Sequence, residues 1–325
     1  MASLVAWRER RTLGGGAMAA TGLLLVMFAV YALHEPSALS MFGMSNLLNN
    51  MIVLALAAAG LTLVVLCGEL DLSGPGIIAI ANVVVATTSA GSLGPLGSFV
   101  AVLAIGLVVG GLNGVLVAYL RLQSLAVTLG TLIACQGIAL LILPAPGGEV
   151  VEEIAYGITG DLFGVPVPAI LLALALAFWL LLKQSRLGIA LYAVGTDEAA
   201  ARLSGLNVRA TKLLAFILAG LFYALAGFVF SAEIGSGDPR ISDSFLLFMF
   251  AAVAIGGTSL MGGRGGIVGT LAGAAILTVL QKMLFALGVA DFYTNIFNGI
   301  MMILAILFGQ LSALLARGPR GRQAR

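Results

Sequence analysis

The sequence predicts an all-α, multi-pass membrane protein with about ten transmembrane helices, each of the ~20 apolar residues that a bilayer crossing needs. Three observations lead there. Apolar runs recur almost without pause from residue 17 to residue 315, and most keep no polar face of the kind a water-exposed helix carries. Hydrophobic residues fill 61% of the 325 positions and charged residues 9%, and mean hydropathy is +1.13, which excludes an ordinary soluble domain. Finally, lysine and arginine fall almost wholly on one side of the predicted spans.

The first span, 16–34, follows Arg8, Arg10 and Arg11 and lacks a small-residue cleavage site, so it reads as retained rather than as a removed signal peptide. Spans at 46–67 and 73–91 are separated by the short polar stretch "GELDLSG". The next two, 96–120 and 124–143, meet at Arg121; the sixth and seventh occupy 166–183 and 211–233. The last three are 245–262, 265–288 and 292–315, with a glycine-rich join at Gly262–Gly266. Either glycine-bearing join, Gly68–Gly74 or Gly262–Gly266, also fits a re-entrant or broken helix, because irregular backbone at membrane depth survives where protein or water covers it. The whole chain, 1–325, reads as one domain with its spans over 16–315. Its longest connections are an acidic outer loop, 144–165, and an inner loop, 184–210. The outer loop reads as a solvated connector or as a docking rim for a soluble partner.

An inside N-terminus and an even number of spans put both termini in the cytoplasm and leave only Arg240 and Lys282 of the sixteen basic residues outside. Glu35, Glu149, Glu152, Glu153, Asp161 and Glu233 gather on the outer side. Cys67 and Cys135 each sit in an apolar run and read as small buried hydrophobes, and the single His34 cannot build a metal centre alone. The stretch "GGRGGIVGT" has glycines but no lysine where a phosphate loop needs one. No metal, nucleotide or nucleic-acid site is expected on this chain, and an intramembrane enzyme lacks a convergent nucleophile and base.

The inner loop carries "GTDEAAARLSGLNVRATK", residues 195–212, a short charged helix in an otherwise greasy chain. Thr196 is the expected N-cap, Asp197 and Glu198 occupy the first turn, Glu198 and Arg202 form an i,i+4 pair, and Gly205 takes the left-handed position after the last turn. Two helical turns do not hold themselves in water, so a neighbour must hold them. Ala199, Ala200 and Ala201 offer a small face for that, with Leu203 beside them; the bland alternative is a connector lying on lipid headgroups.

Glu69 and Asp71 lie between two apolar spans. Asp71 caps the following helix with both acids at the aqueous edge, or the two line a translocation path. Asn82, Asn113, Thr128, Thr131, Gln136, Asn295 and Asn298 sit within spans, either gluing helices or hydrogen-bonding a passing hydroxylated solute. Gly256, Gly257, Gly262, Gly263 and Arg264 mark a tight turn, read as a hinge or gate or as a compact loop that lets two spans pack. Gly106, Gly110 and Gly114 form a smooth groove for a neighbouring helix.

Taken together, "RLGIALYAVGTDEAAARLSGLNVRATK", "AVAIGGTSLMGGRGGIVGTLAGA", "NNMIVLALAAAGLTLVVL", "GLNGVLVAYLRLQSLAVTLGT" and "NGIMMILAIL" resemble the membrane permease subunits of ribose-type ABC sugar importers, of the branched-chain amino acid/sugar permease superfamily. The resemblance runs from about residue 46 to 310. It implies an ABC importer permease fold in a bacterial inner membrane, carrying a monosaccharide or similar small hydroxylated solute. It also implies a second permease subunit, identical or a paralogue, a periplasmic solute-binding protein, and a cytoplasmic ATP-binding subunit that holds the ATP and Mg. Thr196, Asp197, Glu198, Ala199, Ala200, Arg202, Leu203 and Gly205 would be the coupling helix gripped by that subunit. The family usually shows glycine where Glu69 stands and Val-Gly-Ser where this chain has Gly74-Pro75-Gly76, so a family-level role does not carry over to that turn. The competing reading is an ion-coupled secondary transporter of a small polar solute, for which the two glycine-interrupted joins are the only paired candidates.

Overall fold

The computed structural model describes residues 15–91, 93–240, 242–289, 296 and 299–300. Asn295, Asn298 and most of the predicted tenth span lie outside the described residues. In chain order the helices are α1 (Gly15–His34), α2 (Met41–Leu66), α3 (Gly74–Thr88), α4 (Gly94–Ala118), α5 (Ser124–Ile142), α6 (Glu152–Thr159), α7 (Val167–Gln184), α8 (Arg186–Thr196), α9 (Glu198–Leu203), α10 (Val208–Ile234), α11 (Ser242–Ile255) and α12 (Ile267–Ala286). A 3-10 turn (Pro36–Leu39) precedes α2, and a small antiparallel hairpin, β1 (Asp161–Leu162) with β2 (Val165–Pro166), follows α6.

Helix α2 is the axis of the fold. Ser40 starts it by accepting a hydrogen bond from the Gly43 amide at 3.0 Å, and its residues from Met51 to Leu66 are all buried. A helix apolar on every side belongs in the interior, and α2 is wrapped by α10, α12, α11 and α7. Helix α10 also runs along α4 and α3. The Gly106, Gly110, Gly114 groove is filled there, from within the chain: a β-carbon on Gly106 would strike the Gly220 carbonyl, and one on Gly114 would strike Leu213.

Among the described residues, seven helices, α1, α2, α4, α5, α7, α10 and α12, are long and apolar enough to cross a membrane. Two predicted spans are shorter than expected. In place of 73–91, α3 has 15 residues, about 22 Å at 1.5 Å per residue against a hydrocarbon core of ~30 Å. In place of 245–262, α11 stops at Ile255, where Gly256 and Gly257 begin an irregular loop. Hydropathy windows count apolar residues and do not see where the backbone leaves the helix.

The outer loop is exposed along most of its length, as its acidity suggests, but its backbone is anchored to the helix ends. The Glu149 amide donates to the Ala86 carbonyl (2.9 Å), the Val150 amide to Gly235 (3.2 Å), and Gly147 pairs with Gly237 across an isolated bridge. Val150 and Ile154 are buried beneath it. The inner loop likewise holds a helix the sequence reading missed. Ser185 caps α8 by accepting from the Gly188 amide at 3.2 Å, and α8 buries Leu191 and Val194.

Candidate functional site

Helix α9 is six residues long and capped at both ends. Its N-cap is Asp197, whose carboxylate accepts from the Ala200 amide at 3.0 Å. Thr196 is not the cap: it is the last residue of α8, and its hydroxyl donates back to the Tyr192 carbonyl at 2.7 Å. At the other end Gly205 takes φ +80°, its amide reaching the Arg202 carbonyl (3.0 Å) and the Leu206 amide reaching Ala201 (3.1 Å), a Schellman closure that satisfies two otherwise open carbonyls. The Glu198–Arg202 pair forms at 2.7 Å. Only Ala201 of the alanine run turns inward; Ala199, Ala200, Arg202 and Leu203 face out, Leu203 with 90% of its surface exposed.

Between α2 and α3 the backbone leaves the helix in the protein interior, so its amides need partners. One face of α5 supplies them. The Leu72 amide donates to the Thr128 hydroxyl at 3.0 Å, and the Leu70 amide to Ser124 at 3.4 Å. Asp71 is 1% exposed, so neither acid-at-the-aqueous-edge nor helix cap describes it: the start of α3 has no side-chain cap, and the carboxylate accepts instead from the Ser73 amide (2.9 Å) and hydroxyl (2.6 Å). The Asn113 amide donates to that same hydroxyl (2.9 Å), and Thr131 donates to Asn113 (2.6 Å). The result is a chain of donors, from α5 through α4, all pointing toward one buried carboxylate. Tyr223 of α10 stands beside Asp71, fully buried, with a hydroxyl that makes no hydrogen bond of standard geometry.

The three segments singled out separately in the sequence meet at the end of α2. A β-carbon on Gly195 would collide with the Leu66 carbonyl, and one on Gly262 would collide with both Gly195 and Gly68. Only glycine permits that approach of three backbones. The 256–266 loop is pinned to this junction by the Gly263 amide on the Leu66 carbonyl (3.1 Å) and the Tyr192 hydroxyl on Gly265 (2.6 Å), while Arg264 is exposed.

Beside the junction, Lys212 of α10 holds two carboxylates at once, Glu69 at 2.6 Å and Glu198 at 2.8 Å. The Lys212 hydrogen bond is the main reason that the Glu198 carboxyl is pushed below its ordinary range. These groups line a cleft of about 230 Å³ that also admits Arg121, Arg202 and Arg209. Arg121 has a left-handed backbone, φ +57°, a conformation costing a non-glycine residue roughly 1–3 kcal/mol. Asn82 is elsewhere: its amide donates to Ser231 and to the Ser236 carbonyl, both at 2.9 Å, and accepts from the Asp238 amide at 2.6 Å, tying α3 to the connection after α10. Glu69, Asp71, Asn113 and Thr128 are thus brought together and Asn82 is not. Thr131, named with the polar span residues, joins the network, whereas the sequence does not single out Lys212 or Ser73; the signal that could have found Lys212 is its place in the second turn of α10, five residues past the Asn207 cap.

The family model described as "Branched-chain amino acid transport system / permease component" matches residues 43–306. The chain belongs to this family. Among curated proteins the permease is 36% identical over 290 residues to the ribose import permease of Escherichia coli K12, covering 87% of this chain and 90% of that one. It is 35% identical over 291 residues to the ribose import permease of Bacillus subtilis, covering 87% and 89%. With the galactose/methyl galactoside import permease of Escherichia coli K12 it shares 30% over 310 residues, covering 89% and 92%. No solved structure matches it. With seven membrane-length helices among its described residues, the permease is a multi-pass protein of the inner membrane.

Proposed function

We propose that this chain is the membrane subunit of an ATP-driven ABC importer that moves a monosaccharide or similar small hydroxylated solute inward. The whole chain acts as one domain, with about ten spans and both termini in the cytoplasm. A second permease subunit completes the conduit, a periplasmic binding protein delivers the solute, and a cytoplasmic subunit holds the ATP and Mg. The ribose and galactoside permeases it resembles support the solute class.

The observation that carries the reading is α9: a rigid, doubly capped turn that presents Ala199, Ala200 and an exposed Leu203 outward while its other side, at Ala201, packs against α8 and α10. Small residues let a partner's groove close on it, and caps keep it from fraying when loaded. Residues 196–205 are the docking surface, the 256–266 loop is the adjoining hinge, and Glu69, Asp71, Asn113 and Thr128 stand where that movement reaches the membrane interior. Purification in mild detergent should bring down an ATPase with the wild-type chain. Leu203→Asp should lose it while membrane insertion stays normal; retention of the ATPase by that variant defeats the assignment of α9.

Asp71 favours the second reading, an ion-coupled transporter, because the hydrogen-bond partners of this buried carboxylate are all neutral. With ATP clamped, a protonophore should leave uptake unchanged; abolished uptake selects the ion-coupled reading instead.

A further inference from the structure

The proposed function makes α9 the element that the ATPase moves, and the following inference rests on that reading. Movement of α9 must still reach the interior, and α9 is short, exposed and separated from the α2–α3 break by more than 120 positions of sequence. The side chain that spans the gap is Lys212. Its ammonium lies 2.8 Å from Glu198, the first residue of α9, and 2.6 Å from Glu69, the second residue of the break after Cys67 closes α2. Glu69 is two residues from Asp71, where the donor chain from Asn113 and Thr131 ends.

We propose that Lys212 is a positioning residue, the joint through which α9 shifts the α2–α3 break, by holding Glu198 and Glu69 on a single ammonium. Exposure separates the Lys212–Glu69 half of this joint from an ordinary surface contact, while Glu198 keeps 43% of its side-chain surface. Lys212 and Glu69 keep 13% and 17% of their side-chain surface, so solvent screens them little, whereas Arg202, the other partner of Glu198, keeps 56%. Without the ammonium, two carboxylates would face each other, and the break would part from α9 rather than follow it.

The test uses the complete importer in liposomes and reads solute taken up per ATP hydrolysed. Lys212→Met and Glu69→Gln should each lower that ratio at least fivefold while the ATPase still co-purifies one-for-one with wild type. The double variant should be no worse than the worse single one, and Lys212→Arg should stay within twofold of wild type. Glu69→Gln is nearly isosteric and decides the matter alone should Lys212→Met fail to fold. A normal ratio in Glu69→Gln, losses that multiply in the double variant, or loss of the ATPase from folded variants overturns the joint. An ATPase that fails to bind even the wild-type chain sinks the proposed function instead.

Discussion

At the scale of residues, Asp197 decides where α9 begins. Its carboxylate on the Ala200 amide supplies a hydrogen bond that six residues cannot find elsewhere, and losing such a cap costs about 1 kcal/mol. Asp197→Ala should therefore speed hydrogen exchange at the Ala200 amide roughly fivefold. Thr196→Ala should leave that amide unchanged, because the Thr196 hydroxyl serves α8. The sequence reading places the cap at Thr196 and Asp197 in the first turn; moving it to Asp197 needs the knowledge that α8 runs up to Thr196. Glu198 gives a pH prediction. Its folded carboxyl titrates below the ordinary 4.5, held down first by the Lys212 hydrogen bond. The pairing thus contributes at neutral pH and is lost as the pH falls through that lowered value. In Lys212→Met the carbon-13 titration of Glu198 should move up toward 4.5. An unmoved titration would show that the pair does not form.

At the scale of elements, the sequence made the long helices legible and hid the departures from them. Spans such as α2 and α10 announce themselves through unbroken apolar runs. The short α3 and α11 do not, since the apolar residues around them continue through irregular backbone. Helix α8 hides for the same reason in reverse, as "RLGIALYAVGT" is too short for a span and reads as part of the inner loop. Ser124, Thr128 and Thr131 recur along one side of α5, but nothing local says that they receive the α2–α3 break; that is a contact across more than fifty positions. Close packing supplies the test at this scale. Gly195→Ala should cost about 1–3 kcal/mol, read as a lower thermal midpoint, because its new methyl meets the Leu66 carbonyl. Gly130→Ala on α5 has nothing within 4 Å to meet and should leave the midpoint unchanged. Equal effects from the two would place the junction elsewhere.

At the scale of the whole molecule, family and membrane character were readable from end to end, because both rest on features spread over hundreds of residues. The site was readable only as fragments, with their meeting at the end of α2 set by tertiary packing. Orientation is open to a direct check. Cys67 and Cys135 are buried, so a cysteine at position 203 can be labelled without removing them. A membrane-impermeant maleimide should modify Leu203→Cys in inside-out vesicles and spare it in right-side-out ones. The opposite pattern would invert the topology. The glycine contact of Gly68, Gly195 and Gly262 has one more consequence. Side chains absorb a push by swinging to another rotamer, and here there are none to swing. A displacement entering from the α8 side meets bare main chain on bare main chain, so it is passed on without slack, as in a gear train with no backlash.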